Sequence, residues 1–295
     1  MDPLVIAFGL GVGILVGLTG IGGGSLMTPL LLIFIGTNPV VAVGTDIAYG
    51  AITKTVGGWR HLRSGTVDMG VSKWLAFGSV PASVVGVLLI SYLHHHHEDS
   101  FNTTLLWVVA GTLAATALIT LARALFMPAL VARERHSVPL GPRSKLAAVG
   151  LGAVLGFILG VTSVGSGALI GLALILVFRL TPHRVVGTDV FHAAILLWAA
   201  GLAHLAVGNI DFGLMGTILI GSLPGVLIGE RLARRVPAAA LRPALGCVML
   251  GSALGVFSKA GADLSAWVII GPPVVVGLLA YGLQRVRVRR VVVPA

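Results

Sequence analysis

The chain has 295 residues, 56% of them apolar and 10% charged, against roughly 45–50% and about 25% in a soluble domain. With a mean hydropathy of +1.01 and apolar runs along nearly its whole length, a water-solvated globule is excluded and the sequence reads as an integral membrane protein. Twenty Lys and Arg against ten Asp and Glu leave a charge of +10. The basic residues fall in short links between apolar segments, without aromatic interleaving, so nucleic acid is excluded as a partner and the charges suit orientation signals.

In chain order, the apolar segments run from Leu4 to Ile35 with a glycine-rich interruption, then Pro39 to Leu62, Val71 to Leu93 and Thr103 to Leu130. They continue from Leu146 to Phe178 with a second interruption, then Pro182 to Leu205, Phe212 to Leu232, Leu241 to Phe257 and Trp267 to Leu283. A helix needs about 20 residues to span ~30 Å of hydrocarbon, so most are single spans. The first and fifth are too long and too rich in glycine for that. The amino-terminal stretch lacks a basic region and a cleavage site, so it reads as the first membrane segment rather than a removed leader. The single cysteine, Cys247, sits in an apolar run, where it forms neither an internal disulfide nor a metal-thiolate cluster, and reads as core filler.

Sliding the chain by 143 residues aligns Gly17-Leu18-Thr19 with Gly160-Val161-Thr162, Val43 to Asp46 with Val186 to Asp189, and His61 with His204. The same offset aligns Gly65 to Asp68 with Gly208 to Asp211, and Gly78 to Pro81 with Gly221 to Pro224. One gapless offset matching separated motifs indicates a duplicated half. Charge then orients the halves. If each interrupted segment enters and returns to the side it came from, eighteen of the twenty basic residues face one side, Arg123 among them, with Lys259 opposite and Lys54 inside a span. The positive-inside rule prefers that arrangement. It makes the repeats antiparallel, with the amino terminus outside and the carboxyl terminus inside.

The expected fold is therefore an all-α, polytopic membrane protein built from an inverted repeat. Each half has a Gly-broken or re-entrant first segment plus three spans, and one extra C-terminal span follows. Residues 1–130 form the first repeat, 131–145 a cytoplasmic linker, 146–260 the second repeat, and 261–295 the extra helix and basic tail. Inverted repeats with broken helices are a recurring plan of secondary transporters, which hold substrate where the breaks meet.

The first break, Gly17 to Pro29, carries Gly22, Gly23, Gly24 and Ser25; the second, Gly160 to Leu169, carries Thr162, Ser163, Gly165 and Ser166. Irregular backbone at membrane depth survives only when buried in protein or lining a cavity. Free N–H groups and hydroxyls there suit an anion; close helix packing is the other reading of the glycines. Two VGTD motifs supply Thr45, Asp46, Thr188 and Asp189. An ionised Asp at the bilayer centre costs about 2.5–3.5 kcal/mol on insertion scales. Each therefore faces a cavity, as a proton-coupling group, or belongs to a capped helix start. Asp46, Gly50, Thr53 and Gly57 form one polar and small stripe, read as lining a path. Beside it lies Lys54, whose partner is either an anionic substrate or a buried structural acid. His61 and His204, at matching span ends, read as hydrogen-bonding anchors or proton relays. His94 to His97 read as a solvated external loop. The sequence contains no phosphate-binding glycine loop of the Walker type, no GxSxG elbow and no metal-ligand set, so the reading includes no enzyme, cofactor or metal.

The segments GLTGIGGGSLMTPLLL, AVGTDIAYGAITKTVGGWRHLRSGTVD and VVGTDVFHAAILLWAAGLAHLAVGNID resemble the sulfite exporter TauE/SafE family, from about Leu4 to Leu254. The resemblance implies a multi-pass permease of the cytoplasmic membrane exporting small sulfur-containing anions such as sulfite, sulfoacetate or other organosulfonates. It carries the site onto Gly22 to Ser25, Thr45, Asp46, Lys54, Thr162, Ser163, Gly165, Ser166, Thr188 and Asp189. The final span and the histidine run depart from the family pattern. The expected partners are a small anion, lipid and protons, with self-association left open. The rival readings are an anion channel and, behind it, a membrane-embedded enzyme.

Overall fold

A computed structural model describes residues 3–19, 24–126, 140–233 and 238–292. Every regular element among them is helical. The helices are α1 (Pro3–Thr19), α2 (Gly24–Leu30) continued by a π-helical turn (Leu31–Ile35), α3 (Pro39–Arg63), α4 (Met69–His96), α5 (Glu98–Phe126), α6 (Pro142–Thr162), α7 (Leu169–Leu176), α8 (Pro182–Ala206), α9 (Phe212–Ala233), α10 (Ala238–Phe257) and α11 (Ala266–Val292). Six of them (α4, α5, α6, α8, α9 and α10 with its following turn) hold stretches long and apolar enough to cross a membrane alone. The chain is a multi-pass membrane protein.

Local chemistry sets the helix starts in register between the halves. Asn38 accepts from the Val40 N–H at 3.0 Å ahead of Pro39, which opens α3; Thr181 stands at the same place before Pro182 and α8. Asp68 caps α4 through the Val71 N–H at 3.1 Å, and Asp211 caps α9 through the Leu214 N–H at 2.9 Å. The turns ahead of these caps hold Gly65 at φ +69° and Gly208 at φ +77°, backbone that glycine adopts without strain.

Packing also repeats between the halves. Gly152, Gly156 and Gly160 of α6 lie against the backbones of Leu75, Ser79 and Ser83 of α4. Gly9 and Gly13 of α1 lie in the same way against Ile218 and Ser222 of α9. Residue numbers climb together in both pairs, so these helices are parallel and close enough for backbones to touch, as small residues permit in lipid. In contrast, Gly50 meets Leu197 and Gly57 meets Val190, so α3 and α8 run antiparallel. These two helices are the centre of the bundle: 67% of the spanning stretch of α8 is buried, against 28% for α9.

Several expectations change. His94 to His96 form the last turn of α4, and only His97 separates it from α5, so the histidine run is helical rather than a loop. The described apolar part of the final helix, Ala266–Ala280, is shorter than a full span. Most of the linker expected at 131–145 lies outside the described residues. Lys259, expected on the side opposite the other basic residues, donates its ammonium to the Leu32 carbonyl at the π-helical turn.

Candidate functional site

The second break is fully in view. Helix α6 ends at Thr162, Ser163 follows at φ 59°, and Gly165 and Gly167 stand at φ 125° and 98° before α7 begins. Only glycine takes the last two conformations cheaply, so the expected role of these glycines in turning the chain is met at Gly165. Of the first break, Gly22 and Gly23 lie outside the described residues. Gly24 opens α2, and Ser25 is buried with its hydroxyl unpartnered among the described residues.

The two breaks are tied together at Asp46. Thr28, one turn beyond Gly24, donates its hydroxyl to Asp46 Oδ2. Ser163, from the other half, donates to the same oxygen at 2.9 Å. Asp46 is 1% exposed, and its Oδ1 has no partner among the described residues. Its repeat counterpart, Asp189, accepts the Gly167 N–H at 3.1 Å and is also buried. Both carboxylates therefore sit in mid-helix, which corrects the reading of VGTD as a capped helix start.

Lys54 interacts electrostatically with both Asp189 and Asp46. It is 7% exposed, and its ammonium has no hydrogen-bond partner among the described residues. A fourth charge comes from α5. Arg123 donates to the Ala168 carbonyl at the second break, 3.4 Å away, and is in electrostatic contact with Asp189. Asp46, Lys54, Asp189 and Arg123 thus interact electrostatically, with Asp46 and Asp189 both bonded to residues of the second break.

Other expected site residues serve the frame. Thr45 accepts the Asp211 N–H at 3.0 Å, and its counterpart Thr188 accepts the Asp68 N–H at 2.8 Å. Each threonine thus fastens its helix to the capped turn of the opposite half. Thr162 turns its hydroxyl into its own helix end, donating to the Ile158 carbonyl at 2.7 Å and accepting the Val164 N–H at 3.2 Å. Ser166 is buried at the break. His61 Nδ1 lies 3.0 Å from Thr66 Oγ1, and His204 Nδ1 lies 3.4 Å from Asn209 Nδ2, at the two matching turns. The Asp46, Gly50, Thr53 and Gly57 stripe does not line an open path along its length. Leu197 and Val190 of α8 cover Gly50 and Gly57, while Thr53 spends its hydroxyl on the Tyr49 and Gly50 carbonyls.

Sequence reasoning passed over Thr28, Arg123 and the buried His192–Ser79 pair, whose Nε2 and Oγ are 3.2 Å apart. Thr28 carried a signal: a hydroxyl one turn after a glycine break. Arg123 carried none, because a cation at the end of an apolar span looks the same whether it faces lipid headgroups or the protein interior.

A helical bundle long enough to cross the bilayer, closed around buried charges at broken helices, has the architecture of a polytopic membrane transporter. Residues 5–256 match the family described as Sulfite exporter TauE/SafE, and the chain belongs to that family. It is 38% identical to the "Probable membrane transporter protein YjnA" of Bacillus subtilis (strain 168), over 86% of this chain and 99% of that one. It is 25% identical to "Probable membrane transporter protein YdhB" of the same organism, over 79% and 91% of the two chains. A "Probable membrane transporter protein" of Xylella fastidiosa (strain 9a5c) is 27% identical over 90% of this chain and 99% of its own. No solved structure matches the chain. The protein is a membrane transporter.

Proposed function

We propose that this transporter moves small sulfur-containing oxyanions, sulfite or organosulfonates, out across the cytoplasmic membrane by alternating access. Two inverted halves rock about the α3–α8 contact, exposing the region between the breaks first to one side and then to the other. Lys54 supplies the attracting charge, and backbone N–H groups and hydroxyls at Gly22 to Ser25 and at Ser163 to Ser166 coordinate the oxygens. Asp46 or Asp189 exchanges the accompanying proton. The amino terminus is external and the carboxyl terminus cytoplasmic.

One observation carries this reading: a buried ammonium, Lys54, without a hydrogen-bond partner among the described residues, on the same helix as the carboxylate that joins both breaks and in its field. A buried ammonium without a hydrogen-bond partner is costly even with a carboxylate in its field, so a site that keeps one is built for a partner that comes and goes. The antiparallel α3–α8 pair and the two parallel glycine-faced pairs support inverted halves. In proteoliposomes loaded with sulfite, Lys54→Met is expected to abolish flux while the protein keeps its wild-type elution profile and thermal transition. Flux at the wild-type rate would remove Lys54 from the site. Saturable flux that responds to an imposed proton gradient is expected of a coupled carrier; linear, gradient-independent flux would identify a channel.

A further inference from the structure

Arg123 differs from the other cations near the span ends. It sits in the last turn of α5, yet its guanidinium is turned inward to the Ala168 carbonyl, and the point where a Cβ on Gly171 would lie is 3.4 Å from its Nη1. It therefore packs on the segment that leads from the second break into α7, where a larger side chain at Gly171 would crowd it. Its acidic neighbour is Asp189, which is held from the other side by the Gly167 N–H and shares its field with Lys54. Asp46 has two hydroxyl donors of its own, whereas Asp189 has one backbone donor and the fields of two cations, Lys54 and Arg123. The repeat breaks here as well. An offset of 143 residues puts Leu197 opposite Lys54 and Ala266 opposite Arg123, so both cations belong to one half of an otherwise duplicated frame.

We propose that Arg123 is the second cation of the anion site, and that Asp189 is an internal counter-ion which the transported anion displaces from Lys54 and Arg123. The empty site then keeps its two positive groups neutralised, since cations without a counter-charge in this interior are costly. An arriving oxyanion takes over the ammonium at Lys54 and the planar guanidinium at Arg123, whose fork matches two oxygens of one sulfur-centred group. Asp189 keeps the Gly167 N–H as it lets go. Its return expels the anion towards the opposite face, so Asp189 acts on release and Arg123 on affinity and selection. This assignment rests on the anion-transport reading above and adds to it a residue and a sequence of events.

The test uses the full-length protein in two measurements. In proteoliposomes with sulfite and thiosulfate as probes, Arg123→Gln is expected to raise the half-saturating concentration about tenfold, the factor of one lost charge-assisted hydrogen bond. Arg123→Lys should restore most of it. Asp189→Asn is expected to lower the half-saturating concentration and the maximum rate together, because the competitor that also drives release has gone. In detergent, Arg123→Gln should lower the thermal transition, and adding Asp189→Asn should recover it, a non-additivity that a lone structural arginine would not produce. If Arg123→Gln does not fold, Arg123→Met carries the flux measurement, where an unchanged half-saturating concentration overturns the proposal. Strictly additive stability effects also overturn it. Absence of flux of either anion through the wild-type protein overturns the transport reading itself, an outcome distinct from normal wild-type flux that ignores Arg123.

Discussion

At the scale of single residues, the site depends on how one carboxylate is satisfied. Both hydroxyl donors to Asp46 fall on Oδ2, one from each half of the chain. Removing a donor from a buried acceptor costs about 1–3 kcal/mol, because no water replaces it. Ser163→Ala is therefore expected to destabilise the protein by about that amount, read as a lower thermal transition in detergent. Thr162→Val, at the adjacent residue but occupied with its own helix end, should leave the Asp46 contact intact and shift the flux less than Ser163→Ala does. Lys54, Asp46 and Asp189 were legible in the sequence because a charge inside an apolar run is expensive and so marks itself. Thr45 and Thr188 were legible as hydroxyls beside an acid, but not the bond each makes: each accepts a backbone N–H from across the bundle. Nothing local in the sequence could identify that partner, 120 residues away for Thr188.

At the scale of elements, the helices associate through small residues rather than through exclusion of water, since lipid offers no hydrophobic force between them. A Cβ placed on Gly78 of α4 would lie 1.9 Å from the Val149 carbonyl oxygen of α6, and one on Gly221 of α9 would lie 2.0 Å from that of Ile6 in α1. Neither backbone can yield without separating the helices. Gly78→Ala is expected to cost about 1–3 kcal/mol or more, the usual range for an overpacked contact. Gly150→Ala in α6 meets nothing within 4 Å and is expected to be neutral or to stabilise by up to about 1 kcal/mol through helix propensity. Thermal unfolding of the two variants side by side separates these outcomes. The close-packing reading of glycine thus holds along the helix faces, while at Gly165 the positive φ gives glycine its other role. The spacing differs as well: the packed-face glycines Gly152, Gly156 and Gly160 recur every four residues, whereas Gly165 and Gly167 stand two apart.

At the scale of the whole molecule, the 143-residue offset reappears in the caps, in the turns and in which helix packs on which. Gly152 on Leu75 and Gly9 on Ile218 are the same contact made once by each half. The outer pairs α4–α6 and α1–α9 are parallel and the α3–α8 pair is antiparallel, and the inverted insertion proposed above has a direct test. Single cysteines at Ser64 and Val207, equivalent exposed positions of the two matching turns, introduced with Cys247→Ala, are expected to react with a membrane-impermeant thiol reagent from opposite sides of sealed vesicles. Labelling from one side only would rule out inverted insertion.

The membrane class, the helical fold and the starts of many helices follow from the chain by itself, because apolar length, proline at helix starts and aspartate at caps act locally and survive without neighbours. The meeting of both breaks at Asp46, the covering of the α3 stripe by α8 and the inward turn of Arg123 were decided only by tertiary structure. Each depends on which distant helix supplies a donor or fills a groove, and side chains of identical chemistry on the same helix face have opposite fates according to that neighbour.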